Sequence, residues 1–211
     1  MKTILFDLDG TLIDSTEAIL ESFGVVYDSF GKAAPEPEEI TKLIGYPLDI
    51  MFQMLGVSSH EADAYVAAYK EYYRLISRKK TTLLPLAKEA VKLASSIATL
   101  GVVTTKTARY SEELLEHLGI MHYFKILVGR ESVTHPKPHP EPILKAVNAL
   151  MAFPEQTWMI GDTPLDLIAA RDAGVHGIGV LCGYGTRYDL AQHTSHIVND
   201  AHDAVKLITR L

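Results

Sequence analysis

Two aspartates one residue apart, Asp7 and Asp9, run directly into Gly10 and Thr11 within the stretch Lys2 to Asp14, KTILFDLDGTLID. Like charges this close are costly unless a cation shares them, and hard divalent cations take oxygen ligands of this kind. The preceding Thr3-Ile4-Leu5-Phe6 is a short apolar, β-prone run that suits a buried strand. Residues two apart in a strand face the same side, and Gly10 lets the chain turn sharply away. The spacing suggests a Mg²⁺-type oxygen site at the carboxyl end of a central strand. A calcium loop of the EF-hand type needs a later glycine, a third ligand and a distant glutamate. Here Gly10 comes one residue too early, and a strand leads in. Taken alone, the stretch also reads as a polar turn with two solvated aspartates.

The elements that must position these groups change character twice along the chain. Residues 15–80 read as helix after helix, broken at Ala33-Ala34-Pro35-Glu36-Pro37 and at Gly45-Tyr46-Pro47. Ser15 or Asp14 is placed to cap the first helix, with Glu17 in its opening turn. Further helices are expected over Glu38 to Ile44 and Leu48 to Leu55, and a long one from Ser58 or Ser59 toward Ser77. Tyr65, Tyr69, Tyr72 and Ile76 share a face of that long helix and read as core. No strand is expected in this insertion.

From Pro85 onward helix and strand alternate. Helices are expected over Leu86 to Leu100, Ser111 to Leu118, Pro140 to Leu150, Pro164 to Ala173 and Ala201 to Arg210. Strands are expected over Gly101 to Thr104, Lys125 to Gly129, Thr157 to Gly161, Gly177 to Leu181 and His196 to Val198. The alternation implies an α/β fold, a parallel sheet wound on both faces. Such sheets bind ligands outside the carboxyl ends of their strands. Four polar clusters fall there: Asp7-x-Asp9, Thr104-Thr105-Lys106, His135-Pro136-Lys137-Pro138, and Gly161-Asp162-Thr163 with Asp166. Converging on one edge, they make a phosphate and Mg²⁺ site. His135 and His139 stand four apart, but the prolines between and around them argue against a helical zinc pair.

Composition excludes other classes. The 211 residues carry a net charge of −6 with no basic run, which leaves no electrostatic footprint for nucleic acid. An apolar fraction of 47% is ample for a packed interior. The single cysteine, Cys182, rules out an internal disulfide and reads as a small buried hydrophobe. No secretion signal or membrane-spanning run is evident, so a cytoplasmic protein without membrane partners is expected, as monomer or homodimer.

Taken together, DLDGT at Asp7 to Thr11, Thr104, Lys137 in KPHP and GDTPLD with Asp162 and Asp166 resemble the four motifs of haloacid dehalogenase superfamily phosphatases. The likeness covers essentially the whole chain and is to the subgroup with a helical cap inserted after the first strand. It implies a Rossmann-like core over 1–14 and 81–211, with a cap over 15–80. It also implies Mg²⁺-dependent hydrolysis of a small-molecule phosphomonoester through an aspartyl-phosphate, near the phosphoglycolate phosphatases. Asp7 would be nucleophile, Asp9 the general acid and base, Thr104 a phosphate ligand and Lys137 the neutralising cation. Mg²⁺ would fall to Asp7, Asp9 through its backbone carbonyl, and Asp162, with Asp166 bound directly or through water. Gly10, Thr11, Thr105, Lys106 and, from the cap, Tyr46 would contact substrate. A phosphosugar mutase of the β-phosphoglucomutase kind and an inorganic pyrophosphatase share these motifs. An idle binding protein on the same scaffold is disfavoured by the intact acidic residues.

Overall fold

The computed structural model describes residues 2–211. Strand β1 (Lys2–Phe6) is buried on both faces, as its unbroken apolar run requires. It lies inside a six-stranded sheet with β4 (Ala98–Val103), β5 (Ile126–Val128), β6 (Thr157–Gly161), β7 (His176–Val180) and β8 (Ile197–Val198). The order is β5-β4-β1-β6-β7-β8, and every pairing is parallel. Ile4 and Phe6 turn to one face of the sheet. Helices α5 (Ala87–Ser95), α6 (Ala108–His117) and α10 (Ala201–Ile208) cover it with Ala90, Leu114 and Val205. Leu5 turns to the other face, under α7 (Glu141–Ala149) and α8 (Pro164–Asp172), where Ile143, Ala146 and Ala169 close the layer.

Helices α1 (Thr16–Ser29), α2 (Pro37–Thr41), α3 (Leu48–Met54) and α4 (Ala62–Lys80) hold a separate apolar cluster around Phe23, Phe52 and Tyr65. Two short strands, β2 (Ile13–Asp14) and β3 (Thr82–Leu83), pair antiparallel where the chain leaves and re-enters the sheet. Two residues each is too short for an alternating pattern, so no periodicity marks them. No helix among the described residues is long and apolar enough to cross a membrane.

Two expectations need correction. The helix expected to reach Leu100 ends at Ser95, and Ala98–Val103 is strand. Ser95 and Ser96 close the helix by bonding back to the carbonyls of Lys92 and Leu93, and β-branched Ile97 and Thr99 favour the strand that follows. On α4 the buried tyrosines are Tyr65, Tyr69 and Tyr73, a strict four-residue step, whereas Tyr72 is half-buried with its hydroxyl 2.7 Å from Glu21. The two stripes diverge only in the third turn, where Tyr73 is drawn toward a lysine of the sheet domain.

Candidate active site

The carboxyl ends of β1, β4 and β6 deliver Asp7, Thr104 and Asp162 to one edge of the sheet. The loop after β5 brings Lys137, and the first turn of α8 brings Asp166. Asp7, Asp162 and Asp166 are buried, and each has an oxygen within 4.8 Å of the others'. The Lys137 ammonium, 2% exposed, donates to Asp7 Oδ1 at 2.8 Å, Asp166 Oδ1 at 2.5 Å and the Val103 carbonyl at 2.9 Å. All three of its protons are used.

One ammonium cannot neutralise three buried carboxylates. Burial, reinforced by the charge of Asp166 and opposed by Lys137, pushes Asp7 up to about 7. Burial followed by the charges of Asp7 and Asp166 holds Asp162 well above the carboxylate range. Burial works against the charge of Lys137, but Asp166 and Asp7 outweigh it and raise its pKa. A cluster short of positive charge and built of hard oxygen donors fits a divalent cation.

Asp9 sits apart from that cluster. Lys106 Nζ lies 3.1 Å from its Oδ1 and 3.0 Å from its Oδ2, and the Ser15 hydroxyl also donates to Oδ1. Lys106 in turn lies 4.7 Å from the centre of the Tyr73 ring. Burial opposes the charge of Lys106, yet Asp9 and the two tyrosines Tyr73 and Tyr69 hold its pKa well above the lysine range.

The remaining residues fall into different places. Thr104 is buried at the strand end and its Oγ1 accepts the Lys106 N–H at 3.2 Å. Thr105 faces the α1–α4 helices, where its hydroxyl donates to the Gly45 carbonyl at 2.8 Å. Gly10 and Thr11 offer no free N–H to a ligand: Gly10 N donates to Ile13 O at 2.9 Å and Thr11 N to Leu8 O at 3.3 Å. Their work is on Asp162. The Thr11 hydroxyl donates to its Oδ1 at 2.9 Å, and Gly10, at φ +81°, leaves no room for a Cβ beside its carboxylate. Both oxygens of Asp166 are taken, Oδ1 by Lys137 and Oδ2 by the N–H and hydroxyl of Thr163 in a capping box. Tyr46 is half-buried at the border of the cap cluster and lines the space above Asp9.

Sequence reasoning missed two contributors. Of the two residues placed to cap α1, it is the Asp14 carboxylate that receives the Thr16 N–H at 3.0 Å, and the Ser15 hydroxyl goes instead to Asp9. Tyr184, on the loop after β7, donates its N–H to Asp162 Oδ2 at 2.8 Å and lies 3.0 Å, hydroxyl to hydroxyl, from Thr16. The glycines flanking Tyr184 were the available signal, since a chain packed against a carboxylate has no room for side chains. His135 and His139 do approach, with ring centres 4.7 Å apart, without a helix. Glu141 is spent there on the backbone N–H groups of Thr134 and His135, at 2.8 and 2.9 Å, so the two exposed histidines and half-buried Glu141 read as a loop clasp. Cys182 is held by its partial burial and by the charge of Asp162 at a pKa of about 11, unsuited to a nucleophile.

Comparison with known proteins agrees with this geometry. Residues 4–180 match the model of the haloacid dehalogenase-like hydrolases. The chain is 32% identical to pyrophosphatase PpaX of Oceanobacillus iheyensis, over 99% of this chain and 97% of that one. It is also 32% identical to a phosphoglycolate phosphatase of Aquifex aeolicus, over 87% of this chain and 86% of the other. A solved haloacid dehalogenase-like hydrolase from Streptococcus pneumoniae superposes with a TM-score of 0.89 at 28% identity, covering 98% of each chain.

Proposed function

We propose, from the premise that this chain belongs to the haloacid dehalogenase-like hydrolases and is a phosphatase, that it hydrolyses a small-molecule phosphomonoester through an aspartyl-phosphate on Asp7 and depends on Mg²⁺. The observation that carries this is the buried lysine shared by Asp7 and Asp166, with Asp162 beside them. Phosphoryl transfer needs a nucleophile with neutralising charge beside it, and a buried carboxylate paired with a lysine at one strand end supports that reading. An Asp7 oxygen attacks phosphorus as the bond to the ester oxygen breaks, and Asp9 gives that leaving oxygen its proton. Asp9 then takes a proton from water. That water attacks phosphorus, the bond to Asp7 breaks and inorganic phosphate leaves.

Asp7, the Asp9 backbone carbonyl and Asp162 would hold Mg²⁺, which when bound supplies positive charge to the phosphoryl oxygens. Asp166, with both oxygens engaged by Lys137 and Thr163, would serve by holding Lys137 and would add negative charge beside the cation. Thr104 binds the transferring phosphate. Asp9 needs Lys106 drawn off before it can carry a proton, and substrate oxygens are the competing acceptor. On this reading the chain divides into a core of 1–14 and 81–211 and a cap of 15–80 that closes over the site. The paired β2 and β3 support the hinge, since they tie the two crossings together.

Asp7→Asn is expected to abolish turnover of p-nitrophenyl phosphate with Mg²⁺ while the melting temperature holds or rises. Folded variant protein with near-parental rates would remove Asp7 from its role. The relatives named pyrophosphatase make inorganic pyrophosphate the second reading. A rate on pyrophosphate above that on every organic ester would favour it.

A further inference from the structure

A chamber of about 380 Å³ lies between cap and sheet domain, with Asp9 and Lys106 in its wall. The cap lines it with Ile44, Leu48, Met51 and Val66, together with the stacked pair Tyr69 and Tyr73, whose ring centres are 5.4 Å apart. Resting on the phosphatase reading above, we propose that the alcohol released here is uncharged and ring-bearing and carries a hydrogen-bond acceptor for the Tyr73 hydroxyl. A nucleoside is an alcohol of this class; glycolate and phosphate are not.

Size is the first argument. The volume matches about a dozen waters at about 30 Å³ each, whereas glycolate or phosphate has only a few non-hydrogen atoms. Either would leave most of the chamber as water against apolar walls. An organic body of one or two rings would displace that water and bury apolar surface instead.

Charge is the second. An anionic leaving group needs a cation beyond those that serve the phosphoryl group. Lys106 is the buried cation of the chamber, paired with Asp9 before substrate binds and, on the reading above, spent on the substrate's phosphoryl oxygens once it leaves Asp9. Lys70 and Arg130 also border the space, but Asp49, Asp63 and Glu131 border it with them. Carboxylates thus outnumber cations around the wall, which opposes a second negative charge.

The third is an unfilled bond. The Tyr73 hydroxyl is buried without a hydrogen-bond partner among the described residues, and Tyr73 is 2% exposed. Buried hydroxyls ordinarily find partners. Tyr73 lines the chamber and its ring is engaged by Lys106 and Tyr69, so its enclosed hydroxyl is the bond a ligand would fill on reaching past the ring. Tyr65 has an unpartnered hydroxyl too, but it packs among Tyr27, Phe30 and Phe52 and does not line the chamber.

The test compares kcat/KM for a nucleoside 5′-monophosphate, 1-naphthyl phosphate, phosphoglycolate and pyrophosphate under one set of Mg²⁺ conditions. The two ring-bearing esters are expected to exceed the two with charged leaving groups by tenfold or more. Tyr73→Phe is expected to lower the nucleoside-to-naphthyl ratio of kcat/KM by roughly three- to tenfold, the range of one hydrogen bond, chiefly through KM. In the Asp7→Asn protein, which does not turn over, the nucleotide should raise the melting temperature more than phosphoglycolate does. Preference for phosphoglycolate or pyrophosphate, or an equal loss on all esters in Tyr73→Phe, would overturn the assignment of the chamber. Failure to hydrolyse any of the four would overturn the phosphatase reading instead.

Discussion

The two buried clusters flanking the chamber are built on opposite principles. Beneath it, Asp7, Asp162, Asp166 and Lys137 are held by directed bonds, nearly every oxygen or proton assigned to a named partner. Above it, Phe23, Tyr27, Phe52, Tyr65 and Tyr69 hold one another by ring contacts between 4.7 and 6.2 Å. The first is charge-frustrated and fixed by directed bonds; the second is apolar and held by undirected ring packing. Chemistry needs the first arrangement, because reacting groups must be placed within fractions of an ångström. Choosing among substrates needs the second. Lys106 joins them, its ammonium paired with Asp9 and lying over the Tyr73 ring.

The sharpest way to break this contrast is to remove the one cation of the lower cluster. Lys137→Met leaves Asp7 and Asp166 buried without their partner, and stripping one member from a buried ion pair costs about 3–5 kcal/mol. Chemical denaturation is expected to show that loss together with loss of turnover. A variant as stable as the parent would mean that the carboxylates are neutral in the folded protein and that Lys137 does not hold them.

Next in size is a loss of rate without loss of fold. Asp9→Asn keeps the backbone carbonyl but has no transferable proton, and a positioned proton donor is worth about 10²–10⁴ in rate. The phosphorylation step should suffer more with a poor leaving group, such as an alkyl ester, than with p-nitrophenol. Equal losses on both would show that Asp9 does not protonate the leaving oxygen.

What could be read in advance follows the same division. Asp7, Asp9, Thr104, Lys137, Asp162 and Asp166 stood out because phosphoryl chemistry tolerates few residue types, and strand ends in a parallel sheet fix where they can be. The ligands of Asp162 stood out poorly. Thr11 and Gly10 were assigned to substrate, yet they hold that carboxylate, and a hydroxyl two residues from a catalytic aspartate looks the same in either role. Tyr184 reaches Asp162 from beyond β7, a contact no local pattern encodes. In the cap, helical periodicity marked Tyr65 and Tyr69 as core but chose Tyr72 over Tyr73. The choice depended on Lys106 at the far side of the chamber, which the α4 sequence does not contain.

A smaller effect should appear in the pH dependence of stability. Asp7 is raised from 3.8 to about 7 by burial and then by Asp166. A carboxyl raised on folding contributes stability that is fully present below about 4 and is lost as pH rises through about 7. In chelator, stability is therefore expected to fall between about pH 4 and 7, on the order of 1 kcal/mol per pH unit. With Mg²⁺ the bound charge favours ionised Asp7, so the slope should flatten and the melting temperature at pH 8 should rise. Asp162→Asn should blunt that rise. Identical pH profiles with and without Mg²⁺ would sever the link between these carboxylates and a cation.

The smallest effect on stability is expected where the two regions meet, at Tyr46. Its ring touches the cap cluster only at the border and is half-buried, whereas Tyr65 is 0% exposed at the centre. Truncating a buried aromatic costs about 3–5 kcal/mol, so Tyr65→Ala should lower the melting temperature markedly. Tyr46→Ala should cost about 1 kcal/mol or less, a shift of about 2–4 °C for a chain of this size. Tyr46 also lines the chamber with Gly45, whose carbonyl is clasped by Thr105 of the sheet domain. Removing the ring therefore widens the space around a leaving group without unfastening the closed cap. The values of kcat/KM should change unevenly, with ring-bearing esters losing contact and small ones least affected. A clear loss of melting temperature with substrate ranking unchanged would place Tyr46 with Tyr65 as cap core, and would move the boundary between the two regions one helix break closer to the site.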